Sequence, residues 1–262
     1  MPSDFCRFIG VPASLQLVRA CLLAICSVLS FALIGAGGKD APEADMDGYR
    51  LIQKSDFTGE VQVVAARTAS KITHKRSALS FIVVPKSDRV TVVNEAAKVF
   101  CTIPIAAWKP PFATGNLVRG DQFVDLRLKS EHQELFHDLP AVRKVMVTTR
   151  SFDKIDPKKL DKTQIESAFL IVTTKLPSDN GFAKIASGLF GLPFLGGYPL
   201  QDKYQTLKKD NRVDLQVFSF EKVKIKSSEL LVPTGFKKVD SLHDVYAFTR
   251  DNARLQDILE VF

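Results

Sequence analysis

The stretch from Ser77 to Trp108 constrains this chain most, because it reads as three consecutive β-strands. Leu79–Val84 is an apolar run, Arg89–Val93 alternates apolar and polar side chains, and Val99–Ile105 places an apolar side chain at every second position. Short, turn-rich segments separate the three, and connections of this length join antiparallel neighbours, since a parallel crossover needs a dozen residues or more. The stretch therefore predicts an antiparallel meander that ends at a large aromatic residue.

Further segments on both sides of the meander have strand-like patterns, and fewer have helical ones. The predicted strands are Tyr49–Lys54, Glu60–Ala66, Ser70–His74, Gln122–Leu128, Arg143–Thr149, Ala168–Thr174, Arg212–Phe220, Lys222–Lys226 and Val245–Phe248. The predicted helical segments are Glu131–Asp138, Pro157–Glu166, Phe182–Phe190 and Asp251–Val261. These patterns indicate a β-rich protein with few helices.

The N-terminal segment reads as an export signal. Arg19 precedes the uncharged run Ala20–Gly38, and Ala36 and Gly38 fit the −3 and −1 positions of a cleavage site. The run is also long enough to span a bilayer, so an uncleaved anchor stays open. Either outcome predicts an extracytoplasmic location, periplasmic or secreted. The expected division is a signal peptide or membrane anchor at 1–38, a linker at 39–47, a domain at 48–250 and a C-terminal helix or tail at 251–262.

Charge and cysteine content restrict the partners and the chemistry. The net charge is +7, mostly from scattered lysines such as Lys222, Lys224 and Lys226, which alternate with apolar residues on one strand. This favours a solvated face first and an anionic membrane surface second, whereas no motif or arginine–aromatic cluster indicates nucleic acid. Beyond residue 38 the only cysteine is Cys101. The remaining chain therefore has no internal disulfide and no cysteine zinc site, and Cys101 is expected in the core.

No catalytic or metal-binding motif is present. The sequence has no G-x-S-x-G elbow, no phosphate-binding loop and no H-E-x-x-H zinc motif. His132 and His137 are five residues apart, which is not the i, i+4 spacing of a zinc-binding helix. We therefore expect a protein that is not an enzyme and that uses no cofactor and no metal.

Several stretches together resemble the LolA-like group of extracytoplasmic proteins, the outer-membrane lipoprotein-sorting and lipid-carrier superfamily, in an uncharacterised branch. They are DGYRLIQKSDFTGEVQVV, the meander SALSFIVVPKSDRVTVVNEAAKVFCTIPIAAW, GLPFLGGYPLQ and SSELLVPTGFKKV. The resemblance covers most of residues 48–240. It implies an α+β fold in which a strongly curved antiparallel sheet, an unclosed β-barrel, has a few short helices at its mouth. It also implies that the concave face binds acyl chains.

A candidate ligand-binding set follows from the strand patterns and that resemblance. Its members are apolar or aromatic residues of the meander, of the next strand and of a glycine-rich segment: Phe81, Val83, Phe100, Trp108, Phe123, Val124, Leu126, Leu189, Phe190 and Leu192. Phe100 and Phe123 have the opposite parity from their apolar neighbours. The segment Gly188–Gly197 has two interpretations: a mobile apolar lid or membrane-touching flap, or a buried loop that plugs the core.

Two functions stay open. The first is extracytoplasmic binding of an apolar ligand, a lipid or lipoprotein acyl chain, in the curved sheet. The second is a sensing or interaction module with a filled core, which binds a protein partner and acts in secreted form or anchored to the membrane.

Overall fold

The structure is a computed structural model that describes residues 45–56, 58–111, 123, 125–149 and 164–250. These residues contain twelve strands: β1 (Asp45–Ser55), β2 (Gly59–Ala66), β3 (Ser70–His74), β4 (Leu79–Val83), β5 (Arg89–Asn94), β6 (Val99–Pro104), β7 (Leu126–Phe136), β8 (Leu139–Thr148), β9 (Ile165–Thr173), β10 (Tyr198–Thr206), β11 (Asn211–Lys226) and β12 (Lys237–Lys238). The described α-helices are α1 (Asn180–Leu189), between β9 and β10, and α2 (Leu242–Arg250), after β12. Short 3-10 helices follow β6 and β11.

All twelve strands belong to one sheet, in the order β12-β6-β5-β4-β3-β2-β1-β11-β10-β9-β8-β7. Every neighbouring pair is antiparallel except β12 and β6, which run parallel over two residues. Within the described residues no ladder joins the edge strands β7 and β12, so the barrel is not closed. The α+β fold class predicted from the sequence is confirmed, with one parallel pair added to it.

Aromatic contacts at the tip of the β7–β8 hairpin show how strongly the sheet curves. In a flat sheet β8 and β11 would lie about 14 Å apart, since neighbouring strands are about 4.8 Å apart. The ring of His137 nevertheless stacks on Phe220 of β11 at 5.9 Å, and Phe220 lies 5.4 Å from Tyr49 of β1. His137 and Asp138 have φ values of 48° and 64°, as in a tight two-residue hairpin turn. The hairpin tip therefore reaches the concave side of the central strands.

Strand register separates two apolar clusters. Directly paired residues of neighbouring antiparallel strands share a face. One continuous row crosses the concave face and consists of Phe220, Leu51, Val63, Ile72, Phe81, Val92 and Cys101. Apart from Phe220, which packs at the margin, this row is buried in the main core together with α1. The convex face carries a smaller cluster around Val64, Ile82 and Val93.

The chain after β11 wraps around the β6 edge of the sheet. Leu230 and Phe236 contribute to the convex cluster, and β12 then pairs with β6. Val245 of α2 joins the main core, and its carbonyl accepts a hydrogen bond from Asn94 Nδ2 at 3.1 Å. This wrapping covers the outer side of β6 near its start.

Two local predictions are wrong. Glu131–Asp138, expected to be helical, is the end of β7 and its turn, because pairing with β8 overrides a polar sequence that has little intrinsic strand preference. Val245–Phe248, expected to be a strand, lies inside α2. The helix start had a sequence signal, Ser241-x-x-Asp244: Ser241 Oγ accepts from Asp244 N at 3.1 Å and donates to Asp244 Oδ2 at 2.7 Å.

Several strand boundaries differ by a few residues. The strand predicted at Gln122–Leu128 begins at Leu126 in the structure, and β1 begins at Asp45, inside the predicted linker. The predictions for 1–38 and 251–262 lie outside the described residues, as does most of Pro157–Glu166.

Candidate functional site

The helix α1 lies across the concave face and is fixed at both ends. At its start, Asp179 Oδ1 accepts from Phe182 N at 3.1 Å, and Oδ2 accepts from the backbone N–H of Lys86 in the β4–β5 turn at 2.8 Å. At its end, Thr58 Oγ1 in the β1–β2 turn donates to the carbonyl of Leu189 at 3.4 Å. These turns lie at opposite ends of the strands, so α1 spans the length of the concave face.

The helix ends where the sequence places Gly191. This glycine has φ 64°, its N–H bonds to Gly188 O, and the N–H of Leu192 bonds to Ser187 O at 2.9 Å. This pair of bonds is the Schellman arrangement, which favours glycine at the left-handed position. The following residues return along the concave face to β10. We call α1 and this return, residues 180–197, the insertion.

The apolar side of the insertion is part of the core. Phe182, Ile185, Leu189 and Phe190 are each at most 1% exposed. The ring of Phe182 stacks on Tyr198 at 5.4 Å. Side chains of this size, fully enclosed, contribute about 1.5–3 kcal/mol each through burial. The insertion therefore stabilises the fold as well as covering the sheet.

Trp108 packs in a notch on α1. A Cβ atom on Gly188 would lie 2.7 Å from Cζ3 of the indole, so only glycine fits there without displacement of the ring. The ring also makes an edge contact with Phe81 at 5.9 Å and 83°. Seven residues earlier, a Cβ on Gly181 would lie 2.6 Å from Cδ1 of Ile105. The segment after β6 thus packs along one glycine-lined side of the helix.

The structure brings together most of the candidate ligand-binding residues. Phe81, Val83, Phe123, Leu126, Leu189, Phe190 and Leu192 are buried in the main core, and Trp108 packs at its margin. Phe100 is separated from them: it is half-buried in the convex cluster, because its strand position has the opposite parity from Cys101. Val124 lies outside the described residues.

A buried polar network, not predicted from the sequence, supports the end of α1. His74 Nδ1 accepts from Ser77 N at 3.1 Å, which assigns the proton of the neutral ring to Nε2, and Nε2 donates to the Thr58 carbonyl at 2.5 Å. Burial lowers the pKa of His74 below its usual value, against the opposing effect of the Thr58 carbonyl, and the charge of Arg76 lowers it further. The network ties the β3–β4 turn to Thr58, which contacts Leu189.

Two further buried groups, a tyrosine hydroxyl and a cysteine thiol, are in environments that make them unreactive. Tyr198 Oη donates to Gln53 Oε1, and burial raises the pKa of Tyr198. Cys101 is 1% exposed, as expected, and burial followed by the charge of Asp244 raises the pKa of its thiol to about 11. A thiol in this state is a poor nucleophile at neutral pH.

One cavity of 270 Å³ opens beside the start of α1, lined by Thr173, Thr174, Ser178, Asp179, Asn180, Ala183, Gly197 and Tyr198. Its lining residues lie where β9 ends and where α1 and β10 begin. In the described part of the chain, no three His, Cys, Asp or Glu side chains are grouped as a metal site would need. Within the same residues no helix is long and apolar enough to cross a bilayer.

No family model matches the chain, and no curated protein is similar to it. Three solved structures illustrate its similarity in fold. An uncharacterized conserved protein from Thermus thermophilus has 11% identity and a TM-score of 0.36, over 74% of this chain and 90% of that one. The Pseudomonas aeruginosa MucA/MucB complex contains a chain with 12% identity and a TM-score of 0.35, over 75% and 58%. A LolA superfamily protein from Nitrosomonas europaea has 10% identity and a TM-score of 0.24, over 73% and 92%.

Similarity at these identities and TM-scores concerns the fold alone. It assigns neither ligand nor partner.

Proposed function

We propose that this protein is an extracytoplasmic, non-enzymatic binding module with a filled half-barrel, and that it binds a protein partner through its surface. One observation carries the proposal: α1 lies on the concave face, fastened by Asp179 at one end and by Thr58 at the other. The space in which an acyl chain would lie is occupied by Phe182, Ile185 and Leu189.

The second candidate is the apolar-ligand carrier, and the wholly apolar row along the concave face favours it. An acyl chain gains about 0.8 kcal/mol for each buried methylene. To reach the row it would have to displace the insertion, and each large buried side chain that loses its packing costs about 2–5 kcal/mol. The carrier therefore requires the insertion to behave as a lid, with Leu189, Phe190 and Leu192 exchanging protein contacts for ligand contacts.

Uptake of a fluorescent fatty acid separates the two functions. We expect wild-type protein to take up none, and the triple variant L189A/F190A/L192A to lose several kcal/mol of unfolding free energy in urea. Phe194→Ala is the matched control, because Phe194 belongs to the same segment but is 38% exposed. Saturable uptake by the wild type, with a triple variant that keeps its stability, would instead establish the carrier.

We also propose export. The uncharged run Ala20–Gly38 and the small residues that close it support this proposal. N-terminal sequencing of protein from cell fractions is expected to give a start near Lys39 in the extracytoplasmic fraction. An intact Met1 in that fraction would indicate an uncleaved anchor, and an intact Met1 in soluble cytoplasm would contradict export.

A further inference from the structure

The two edge strands of the sheet differ in whether other parts of the chain cover their outer backbone groups. The outer side of β6 is covered near its start by the chain itself: Lys237 N donates to Lys98 O at 2.9 Å and Val239 N donates to Phe100 O at 2.8 Å. On the other edge, β7 is 11 residues long and pairs only with β8. No described strand lies on its outer side. A long strand edge of this kind presents backbone donors and acceptors to any extended chain that reaches it.

The regular part of β7 is Ser130–Phe136. A β-bulge between Leu128 and Ser130 interrupts the ladder before it, and from Ser130 onward the pairing with β8 continues without a break to Phe136. Most side chains of the strand are exposed, Leu135 by 70%. With respect to the described residues, the strand is therefore accessible along the part where its backbone is regular enough to pair.

The charged side chains of β7 differ in whether they are already paired within the protein. Glu131 is paired with Lys144 of β8 at 2.6 Å, and Glu134 is paired with Arg143 of β8 at 2.8 Å. Lys129 forms no ion pair with any described residue. Once the two carboxylates are neutralised by β8, the edge keeps the positive charge at its beginning. That charge disfavours a second copy of the same edge and favours an acidic chain.

We propose that β7 receives an extended acidic segment of a partner protein as an additional strand along Ser130–Phe136. This rests on the proposed function and names the chemistry of its partner. Main-chain hydrogen bonds supply the binding energy, Lys129 selects acidic residues, and the exposed Leu135 contacts an apolar side chain of the incoming segment.

A blocked nine-residue peptide that alternates glutamate with valine is the probe. A version with lysine in place of glutamate tests charge, and a version with N-methylated backbone at every second residue tests main-chain pairing. Binding is measured by fluorescence anisotropy, and its position by amide hydrogen exchange. We expect the glutamate peptide to bind and to slow the exchange of amides in Ser130–Phe136, and we expect the other two peptides to bind at least tenfold more weakly.

Lys129→Glu tests the edge itself and is expected to weaken the glutamate peptide at least tenfold. Lys238→Glu, the same change at another exposed lysine on the opposite edge, is the matched control and should leave affinity unchanged. Circular dichroism checks that both variants keep the fold. The proposal is overturned if the peptide binds without protecting β7, if N-methylation makes no difference, or if Lys129→Glu binds as the wild type does. Concentration-dependent protection of β7 without peptide would also overturn it, since a second copy would then occupy the edge.

The failure of this proposal and that of the proposed function are distinguishable. If the wild-type protein takes up fatty acid and still binds the peptide at β7, the filled-core module is refuted and the edge site stands. If it takes up no fatty acid and the peptide does not protect β7, the edge site is refuted and the filled-core module stands.

Discussion

The indole of Trp108 lies where a Cβ atom on Gly188 would approach its Cζ3 within 2.7 Å. The contact joins the end of the meander to the helix that crosses the concave face. Because Trp108 is the single tryptophan of the chain, its fluorescence reports directly on the seating of α1.

Gly188→Ala is expected to destabilise the protein by about 1–3 kcal/mol, the usual cost of overpacking a core. At an open helical position the same change would stabilise by about 0.5–1 kcal/mol, so the sign of the effect is diagnostic. Urea unfolding followed by tryptophan fluorescence measures both the free energy and any shift of the native emission. Lys184→Ala, on the exposed side of α1, is the control. A stabilised Gly188→Ala variant would contradict the contact.

Asp179→Ala removes the N-cap of α1 and the acceptor for Lys86 N, so we expect a loss of about 1–2 kcal/mol. Asp179→Asn keeps one acceptor oxygen and should lose less, because the cap to Phe182 N can persist. Amide hydrogen exchange of Lys86 and of the first turn of α1 separates the two bonds. Equal stability of the Ala variant and the wild type would mean that this end of the insertion is not anchored.

His74 predicts a loss of stability in acid. Its pKa is lowered in the folded state, so below about pH 6.5 the unfolded chain binds a proton that the native protein resists, and the unfolding free energy falls as the pH falls. Protonated Nδ1 would also face the N–H of Ser77, which now donates to it. His74→Gln should flatten the dependence between pH 8 and pH 5 relative to the wild type. Parallel curves for this variant and the wild type would refute the role of His74.

Cys101 is expected to resist a bulky thiol reagent at pH 8 in the native state and to react at once in urea, because it is buried and its pKa is raised to about 11. A chain that starts at Lys39 suits the measurement, since Cys101 is then the only cysteine. Cys101→Val should cost less than about 1.5 kcal/mol if the neighbouring side chains repack. Rapid labelling without denaturant would show that the concave row opens.

The sequence was sufficient to predict the position of a side chain where that position depended on its immediate neighbours. Period-two alternation placed Phe81 and Cys101 on one face and Phe100 on the other, and register then carried that parity from strand to strand. The helix start at Ser241 also had a local signal that was present and overlooked. The sequence was insufficient to predict β7, because this polar segment forms a strand only where β8 supplies the pairing partner.

The sequence by itself determined the antiparallel meander, the burial of Cys101 and the end of α1 at Gly191, since strand parity and the left-handed glycine are properties of a few adjacent residues. Only the tertiary structure decided where the insertion goes. Its alternation of apolar residues and glycines fits a lid and a plug equally well. The choice depends on contacts with distant residues, the backbone of Lys86, the hydroxyl of Thr58 and the indole of Trp108, and such contacts exist only after the sheet has curved.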